Sequence, residues 1–455
     1  MKYLVASRSS NDENSREGRR SFVHSRLESK DGDRLTRPRA SLASQETQHD
    51  PKDPLVTPVQ YAHAVWLSST DRRTTPIPTQ ELRIRHSVAQ KSRLVPPCFR
   101  PAVAKQLSLT VGPDFVRTLE DQTAAHQSVV VASTLAEYTG RETSFHTLKS
   151  LQKALEDDPS TFRSNTLFLL ASSDYNLCHT PIRETFRLIE THTSVHLRGF
   201  PTVGEMEFVA HKLGDIQALD QIARSAQFSW SFRPRTCAQS LGCSIAMPSV
   251  LKRAYSCGSK HVILRPTDWD VSRLLPCRKG ARRSTRGSTA SQSSQWFHQE
   301  YIEELRTIGE FRVFVVTTVD GNALRGRRGM VVETIHTLEL PDKELVVTVI
   351  SPHRDFPVDT LILHPRDFTE LYAFALFVFE ELRLRPDWQS HFESLEIGAR
   401  LDIGVRIHGG YHRYFVNEVT RIYEADMFCD WLGEPGTSTC RAIAKVLSEV
   451  FMMPH

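Results

Sequence analysis

The sequence predicts a mixed α/β protein whose folded body follows a basic N-terminal tail. Two patterns in the body carry this prediction: short apolar runs that alternate like strands, and longer segments with apolar residues at helical spacing. A third observation is that the first hundred residues sustain neither pattern. The chain of 455 residues is 40% hydrophobic and 9% aromatic. This is enough apolar material for a core, and it excludes collagenous and wholly disordered proteins.

Residues 1–100 form the basic region. They contain 18 Lys and Arg against 11 Asp and Glu, whereas the remaining residues contain 39 against 42, so the net charges are +7 and −3. The region is rich in Arg, Ser, Thr and Pro, and we expect it to be mostly disordered, with a short ordered piece near Val59–Leu67. It is either a solvated tail or an arm that binds nucleic acid or another partner. The slightly acidic body argues against nucleic-acid binding elsewhere in the chain.

Residues 101–205 are expected to form a small α/β domain. Thr166–Ala171 is an apolar run suited to a buried strand, and Pro181–Thr191 has apolar residues at helical spacing. Val195–Arg198 is suited to the next strand, and this order of strand, helix and strand indicates a parallel sheet. A further helix is expected from Gly204 to about Ala223, because apolar residues recur there every three or four positions.

Residues 206–455 are richer in strands and form a second expected domain. An insertion interrupts it, because Cys277–Gln295 contains five basic residues, no acidic residue, and then Ser, Thr and Gln. We expect a disordered surface loop there, with nuclear localisation or phosphorylation as alternative roles. The predicted strands are Ser249–Arg253, His261–Arg265, Phe311–Thr318, Met330–Ile335, Leu345–Ile350, Leu395–Ile407 and Tyr414–Ile422, and the predicted helices are Phe368–Leu382 and Cys440–Phe451.

The sequence contains no segment suited to a membrane. The longest apolar run, Leu371–Phe379, is much shorter than the ~20 residues of a spanning helix. Eight Cys without a CxxC pair indicate reduced thiols more than a disulfide framework or a zinc site. We therefore expect no membrane contact and a cytoplasmic location, with the nucleus as an alternative through the basic tail or the basic loop at 277–286.

The final pair of strands carries the clearest chemical signal. Along the first of them the apolar residues occupy odd positions, which leaves Arg400 and Asp402 on the opposite face. If the hairpin is centred on Gly410, Asp402 lies opposite Glu418, and Arg400 lies opposite Thr420. Two opposed carboxylates destabilise a sheet unless a positive charge lies between them.

Two kinds of positive charge fit that place. A divalent cation such as Mg²⁺ prefers carboxylate oxygens and completes its coordination with phosphates and water. The alternative is an ordinary network in which nearby arginines neutralise the carboxylates. The candidates for that network are Arg400, Arg406 and Arg421.

Three upstream segments could surround a nucleotide. Lys252 ends a strand before the small residues Ser256–Ser259 and could place its charge on phosphate oxygens, although a Lys beside a hairpin turn is common without any ligand. Phe297–Ile302 could present backbone groups to an adenine, or could be an edge strand. Glu310 and Arg312 begin a strand with two charged side chains on the same side.

The order of these segments resembles the ATP-grasp enzymes, a family that includes D-alanine–D-alanine ligase, glutathione synthetase and biotin carboxylase. That family has a Lys on a strand before a small-residue loop, a hinge strand with an acidic residue, a charged strand, and an R-x-D strand paired with an E-x-N strand. An earlier residue, Lys212, is similar to the first phosphate-contacting lysine of the family. The matching segments, within roughly residues 205–435, are Val250–Lys252, Ser256–Ser259, Gln299–Ile302, Glu310–Arg312, Arg400–Asp402 and Asn417–Thr420.

The resemblance implies an ATP-grasp fold in residues 206–455, behind a small pre-grasp domain in residues 101–205. It also implies a nucleotide site. Lys212 and Lys252 would contact the phosphates of ATP, under a loop that contains Ser256, Gly258 and Ser259. Glu300 would meet the adenine amino group, Tyr301 and Ile302 would supply hinge backbone groups, and Glu303 or Glu310 would hold the ribose.

The resemblance further implies a reaction. A small carboxylate attacks the γ-phosphate of ATP to form an acyl phosphate, and an amine or a thiol then displaces the phosphate. Asp402 and Glu418 would ligate Mg²⁺, or Mn²⁺ in its place, and Arg400 would stabilise the acyl phosphate or the tetrahedral intermediate.

One residue departs from the family pattern. Thr420 stands where the family has its metal-binding Asn, and a hydroxyl binds Mg²⁺ less well than an amide oxygen does. The prediction is an active ligase. The alternative is a diverged nucleotide-binding protein that acts as an interaction or regulatory module.

Overall fold

The computed structural model describes a defined part of the chain, and all structural statements below concern that part. It comprises residues 3–5, 63–68, 127–139, 143–158, 162, 166–170, 180–192, 197–209, 212–238, 243, 245, 248–253, 262–266, 296–339, 345–350, 365–427 and 434–452. The predicted insertion at 277–295 lies outside the described residues, and so does the loop that contains Ser256, Gly258 and Ser259.

The described residues contain fourteen strands and eight α-helices. The strands are β1 Tyr3–Val5, β2 His63–Ser68, β3 Thr143–Thr147, β4 Thr166–Leu170, β5 Arg198–Phe200, β6 Thr236–Cys237, β7 Ser249–Arg253, β8 Val262–Leu264, β9 Trp296–Glu300, β10 Glu310–Val319, β11 Arg327–Glu339, β12 Leu345–Ile350, β13 Gly398–His408 and β14 Tyr411–Arg421. The helices are α1 Gln127–Thr139, α2 Leu148–Asp157, α3 Thr180–Thr191, α4 Val203–Val209, α5 Leu213–Ser225, α6 Glu304–Thr307, α7 Pro365–Leu384 and α8 Glu434–Phe451. None of these helices is both long and apolar enough to cross a membrane.

The first sheet is parallel and has the strand order β3-β2-β4-β5. The predicted strand near Thr166 and the helix that ends at Thr191 are confirmed as β4 and α3. The strand predicted at Val195–Arg198 is shifted, because β5 begins only at Arg198. Its central residue, Gly199, lies directly against α3, where a Cβ atom would come within 2.6 Å of the Phe186 ring. The strand and the helix therefore approach each other closely at this glycine.

Two described strands come from the first hundred residues. Strand β2 agrees with the short ordered piece expected near Val59–Leu67. It is a central strand of the first sheet, with β3 on one side and β4 on the other. The α/β unit therefore begins before residue 101, where the sequence places its start. Strand β1 pairs in parallel with β12 at the edge of another sheet.

The second sheet is antiparallel and has the strand order β6-β9-β7-β8. It contains Lys252, at the fourth residue of β7, and Glu300, at the last residue of β9. Ser249, which begins β7, pairs with Glu300. The predicted edge strand at Phe297–Ile302 is therefore a strand in its first part, and it has neighbours on both sides.

The third sheet has six strands in the order β1-β12-β11-β10-β13-β14. Alternate residues of β10 belong to two hydrophobic clusters: Val313 and Val315 pack with α7, whereas Phe314 and Val316 pack with α8 and α1. This alternation is what the two-residue period of a strand requires when both faces are covered.

The helix predicted from Gly204 to Ala223 is wrong as a single element, because the structure has α4 and α5 in its place. Gly214, at the start of α5, lies so close to the Phe208 ring that a Cβ atom would come within 2.7 Å of it. The two helices therefore meet through this contact, with Lys212 immediately before α5. Its carbonyl accepts the first hydrogen bond of that helix, from the Ile216 amide at 3.1 Å.

The last hairpin is longer at its tip and shorter at its base than predicted. Leu395 lies in a 3-10 turn, Glu393–Glu396, rather than in β13. Ile407 was predicted to be inward-facing but is 40% exposed, because the strand extends beyond the core at that end. The tip is the pair Gly409 and Gly410, whose φ angles of +58° and +80° suit glycine.

Candidate active site

The paired carboxylates lie where the sequence predicts them. In β13 and β14, Asp402 is the partner of Glu418, and Arg400 is the partner of Thr420. The reason differs from the predicted one. Near the tip the register follows a turn centred between Gly409 and Gly410, and a bulge after Asp402 then shifts the pairing by one residue. The extra residue in the bulge is Asn417, because Ile403 already pairs with Val416.

Arg400 neutralises Asp402 directly. Its Nε donates to Asp402 Oδ1 at 2.7 Å, and its Nη2 donates to Asp402 Oδ2 at 2.9 Å. The same Nη2 lies 3.2 Å from Thr420 Oγ1, and Nη1 donates to the Asp426 carbonyl at 3.2 Å. Arg312 adds a weaker ion pair, 3.7 Å from Asp402. A two-point guanidinium–carboxylate pair is a strong interaction, so in this structure Arg400 is engaged with both Asp402 and Thr420.

The other two arginines that the sequence offers as neutralising charges lie elsewhere. Arg406 donates to Glu300 at 2.7 Å, and Arg421 pairs with Asp215 at 2.7 Å. Of the three candidates, only Arg400 contacts Asp402. Among these alternatives, Arg400 is therefore the arginine that neutralises Asp402.

Lys212 faces Glu418. The distance from Lys212 Nζ to Glu418 Oε1 is 3.1 Å, and both side chains remain open to solvent, at 30% and 44% exposure. Burial alone would raise the pKa of Glu418, but the charge and hydrogen bond of Lys212, with Arg400 nearby, bring that pKa below its usual value. Glu418 is therefore held as an ionised carboxylate.

Lys252 reaches the same hairpin from the second sheet. Its Nζ donates to Asn417 Oδ1 at 3.1 Å, and Asn417 Nδ2 donates to Glu310 Oε1 at 2.8 Å. Burial and the charge of Lys212 lower the pKa of Lys252 to about 8. Burial and the charge of Asp402 raise the pKa of Glu310. The site therefore brings together ammonium and carboxylate groups from two sheets and from the start of α5.

Arg233 was not among the predicted site residues, although it borders the same region. Its Nε donates to Asp220 at 3.0 Å, and its guanidinium also donates to the Val416 carbonyl beside the bulge. Burial lowers the pKa of Arg233, and Asp220 opposes that shift. The Arg-Pro-Arg segment from 233 to 235 was visible in the sequence, but no periodicity linked it to β14.

The hinge residues lie beside the tip of the last hairpin. Glu300 accepts from Arg406 at 2.7 Å and lies 3.7 Å from Arg235. Burial would raise the pKa of Glu300, but these arginines lower it overall. The Tyr301 amide donates to the Pro248 carbonyl at 3.4 Å, and the Ile302 side chain is buried.

The two candidate ribose carboxylates differ in position. Glu303 is exposed, and its carbonyl accepts the first hydrogen bonds of α6. Glu310 begins β10 and lies in the cluster with Lys252 and Asn417. The structure therefore brings Glu310, but not Glu303, to the other site residues.

A metal ion at this place would need ligands from its nucleotide. Among the described residues there is no group of three or more His, Cys, Asp or Glu side chains that could hold a metal by themselves. Asp402 and Glu418 are nevertheless opposed on neighbouring strands, and Lys252 is a partly buried ammonium that donates to a neutral amide. Two carboxylates with phosphate and water oxygens suit Mg²⁺, so the residues fit a magnesium–nucleotide complex better than a bare metal.

The segments on which the family resemblance rests thus meet in space: the Lys252 strand, the Glu310 strand and the paired strands of Asp402 and Glu418. This meeting of segments is what the resemblance to the ATP-grasp enzymes implies. No family model matches the sequence, and no curated protein matches it either.

Several solved structures are similar to the chain. The ADP complex of an N5-carboxyaminoimidazole ribonucleotide synthetase is 10% identical over 70% of this chain and 74% of that protein, with a TM-score of 0.41. D-cycloserine synthetase is 13% identical over 84% and 99%, with a TM-score of 0.41. A RimK domain ATP-grasp protein from Sphaerobacter thermophilus is 12% identical over 70% and 94%, with a TM-score of 0.39. These TM-scores and identities are low, so the roles proposed for this chain are argued from its own residues.

Proposed function

We propose that the protein is an ATP- and Mg²⁺-dependent ligase that joins a small carboxylate to an amine or a thiol through an acyl phosphate. One observation carries the proposal: Asp402 and Glu418 oppose each other on adjacent strands, while Lys212 contacts Glu418 and Lys252 contacts the neighbouring Asn417. Opposed carboxylates with converging lysines are the charge pattern that a metal-bound polyphosphate requires.

The binding roles follow from the charges. Lys212 and Lys252 would hold the phosphates of ATP, and Asp402 and Glu418 would hold Mg²⁺. When bound, the metal would draw negative charge from the phosphate oxygens. Glu310 would hold the ribose, since it lies inside the cluster, whereas Glu303 is exposed on the turn before α6.

The chemical roles are those of alignment and charge neutralisation. A carboxylate oxygen of the substrate attacks the γ-phosphorus as the bond to ADP breaks, and the acyl phosphate forms. A lone pair of the amine or thiol then attacks the acyl carbon, a proton is lost, and inorganic phosphate leaves. Arg400 lies beside Asp402 and Thr420, where its guanidinium can stabilise the negative charge that develops. No covalent protein nucleophile is needed.

A specific observation favours a second candidate, a nucleotide-binding protein without turnover. Arg400 occupies both oxygens of Asp402 and also reaches Thr420, which replaces the amide expected there. A metal must compete with this guanidinium for Asp402. If it does so only weakly, the site binds a nucleotide through its lysines and does not activate it.

The two candidates are separated by two measurements on the full chain. Calorimetric titration with ATP, with and without Mg²⁺, tests binding. ADP release is then measured with mixtures of amino acids and small carboxylates, each with and without an amine or a thiol acceptor. The ligase predicts tighter binding with Mg²⁺ and ADP release that requires a substrate carboxylate. Binding that does not depend on Mg²⁺, with no ADP release in any mixture, supports the second candidate. Absence of nucleotide binding contradicts both.

A further inference from the structure

Asn417 occupies a special position in β14. Asp402 pairs with Glu418 and the next residue, Ile403, pairs with Val416, so Asn417 is the extra residue of a β-bulge. In a regular strand, successive side chains point to opposite faces. A bulge removes this constraint locally and redirects a side chain. The side chains of the adjacent residues Asn417 and Glu418 therefore both contact the candidate site. Glu418 contacts Lys212, and Asn417 contacts Lys252 and Glu310.

The partners of Asn417 fix how its amide is oriented. An ammonium can only donate, so the atom that lies 3.1 Å from Lys252 Nζ is the amide oxygen. The amide nitrogen then lies 2.8 Å from Glu310 Oε1, where it donates to the carboxylate. The amide therefore stands between a positive group on β7 and a negative group on β10, and it satisfies one hydrogen bond of each.

We infer that Asn417 is a positioning residue that keeps Lys252 and Glu310 apart, so that the Lys252 ammonium stays available to the phosphates of a nucleoside triphosphate. This inference rests on the proposed function and adds a residue that the resemblance does not assign. Opposite charges attract more strongly where they are partly shielded from water, as Lys252 and Glu310 are. Without the intervening amide, the flexible Lys252 and Glu310 side chains would pair with each other, and the positive charge of the ammonium would be compensated by a protein carboxylate instead of by phosphate.

The composition of β14 supports the same role. Within Tyr411–Arg421, Asn417 is the residue with a side-chain amide, and Thr420 stands where the family pattern has one. The Thr420 hydroxyl is engaged with Arg400. The side-chain amide of β14 thus lies at Asn417, three residues before Thr420. There the bulge directs it towards Lys252 rather than towards Asp402.

The test is the affinity for ATP with Mg²⁺ in four variants of the full chain. We expect Asn417→Gln, which keeps both an acceptor and a donor, to bind nearest to wild type. Asn417→Ala should bind about 10-fold more weakly, as for the loss of a hydrogen bond to a charged group. Asn417→Asp should bind more weakly still, because its carboxylate pairs with Lys252 and repels Glu310. The control is Asn322→Asp, which adds the same charge at an exposed turn residue and should leave the affinity unchanged.

A double-mutant cycle with Glu310→Gln separates positioning from a general structural role. If Asn417 acts by keeping Glu310 from Lys252, then Asn417→Ala should change affinity less than about 2-fold once Glu310 is neutral. Thermal unfolding of each variant shows whether it is folded, and Asn417→Asp and Asn417→Gln are close in size to the native residue. Equal affinity of the Gln, Ala and Asp variants, or an Asn417→Ala effect that is the same with Glu310→Gln, overturns the inference. A wild-type chain that binds no ATP overturns the proposed function as well.

Discussion

Two clusters of opposite charge lie close together in this protein, and they differ in how completely their charges are enclosed. Around Arg421, the guanidinium is fully buried, pairs with both oxygens of Asp215 at 2.7 and 2.8 Å, and lies 3.6 Å from Glu205, which is also fully buried. Around Glu418, the carboxylate and Lys212 keep 44% and 30% of their surface exposed. Similar residue types thus form a closed cluster and an open one.

The difference indicates which cluster is the better candidate for a ligand site. In the closed cluster every charge already has a protein partner, and the Phe392 ring lies 4.5 Å from the Arg421 guanidinium. The open cluster has more positive than negative side chains: Lys212, Lys252, Arg312 and Arg400 stand against Glu310, Asp402 and Glu418. An accessible positive excess favours a polyanion. Substitutions in the closed cluster should therefore change stability, and those in the open cluster should change ligand binding.

The largest expected effect is on stability, from Arg421→Met. Removing one partner of a buried ion pair leaves uncompensated charge on Asp215 and Glu205, which costs about 3–5 kcal/mol. Urea unfolding should show this loss, and adding Asp215→Asn and Glu205→Gln should recover much of it. Arg328→Met, an exposed arginine paired with Asp320 at 3.2 Å, is the control and should cost less than about 1 kcal/mol. Equal unfolding midpoints for the two arginine variants would contradict the description of a closed cluster.

The next effect is on turnover, from Asp402→Asn and Glu418→Gln. Each replaces a candidate metal ligand by a neutral amide, so Mg²⁺-dependent ADP release with the true substrates should fall at least about 100-fold. Stability should change little for Glu418→Gln, since its carboxylate is half exposed. Glu449→Gln removes a carboxylate that pairs with Arg327 outside the site, and it should retain full turnover. Turnover at the wild-type rate in either site variant would remove that residue from the mechanism.

A smaller effect is expected on nucleotide affinity, from Lys252→Ala. Loss of a charge-assisted hydrogen bond should cost about 1.5–3 kcal/mol, or roughly 10- to 100-fold in Kd. Calorimetry with ATP and Mg²⁺ measures the change. The matched control is Lys445→Ala, because that lysine is 65% exposed and makes only a 3.9 Å ion pair with Glu449. If the two alanine variants bind ATP equally, the phosphates do not lie at Lys252.

The sequence could predict part of this site because a hairpin follows a simple rule. Alternating apolar residues and a Gly-Gly turn led to the prediction that Asp402 lies opposite Glu418 and Arg400 opposite Thr420, which is the pairing observed. The bulge at Asn417 could not be foreseen, since one extra residue in a strand leaves no periodic signature. The predicted register was nevertheless right, because two offsets of one residue cancel. The turn is centred between Gly409 and Gly410 rather than on Gly410, and the extra residue of the bulge compensates for this difference.

The closed cluster was invisible for a different reason. Arg421 and Asp215 are separated by 206 positions, and neither belongs to a recognisable motif. Likewise β2 lies far from β3 in the sequence, so the central strand of the first sheet was assigned to the tail. Local patterns predict elements and hairpins, whereas contacts between distant segments depend on packing that no local pattern encodes.

The smallest expected effect is a pH dependence of stability that arises in the closed cluster. Burial raises the pKa of Glu205 to about 7, against the opposing charge of Arg421 and the hydrogen bonds from Ser394. Folded Glu205 therefore holds its proton more tightly than unfolded Glu205 does, so its contribution to stability is greatest below pH 4.5 and is lost as the pH rises through about 7. Between pH 6 and pH 8 this group should remove about 1 kcal/mol of unfolding free energy.

Glu205→Gln isolates that contribution. The glutamine cannot ionise, and it can keep both contacts, because its oxygen can accept from the Ser394 amide while its NH2 group donates to the Ser394 hydroxyl. In the wild type these groups donate to Glu205 Oε2 and Oε1 at 2.9 and 2.5 Å. Urea unfolding of wild type and variant at pH 6, 7 and 8 should show the stability of Glu205→Gln falling less steeply with pH. Parallel curves would mean that Glu205 has the same proton affinity in the folded and unfolded chains. Because the open cluster is untouched, affinity for ATP with Mg²⁺ should remain at the wild-type value, and a loss of affinity would show that the two clusters are coupled.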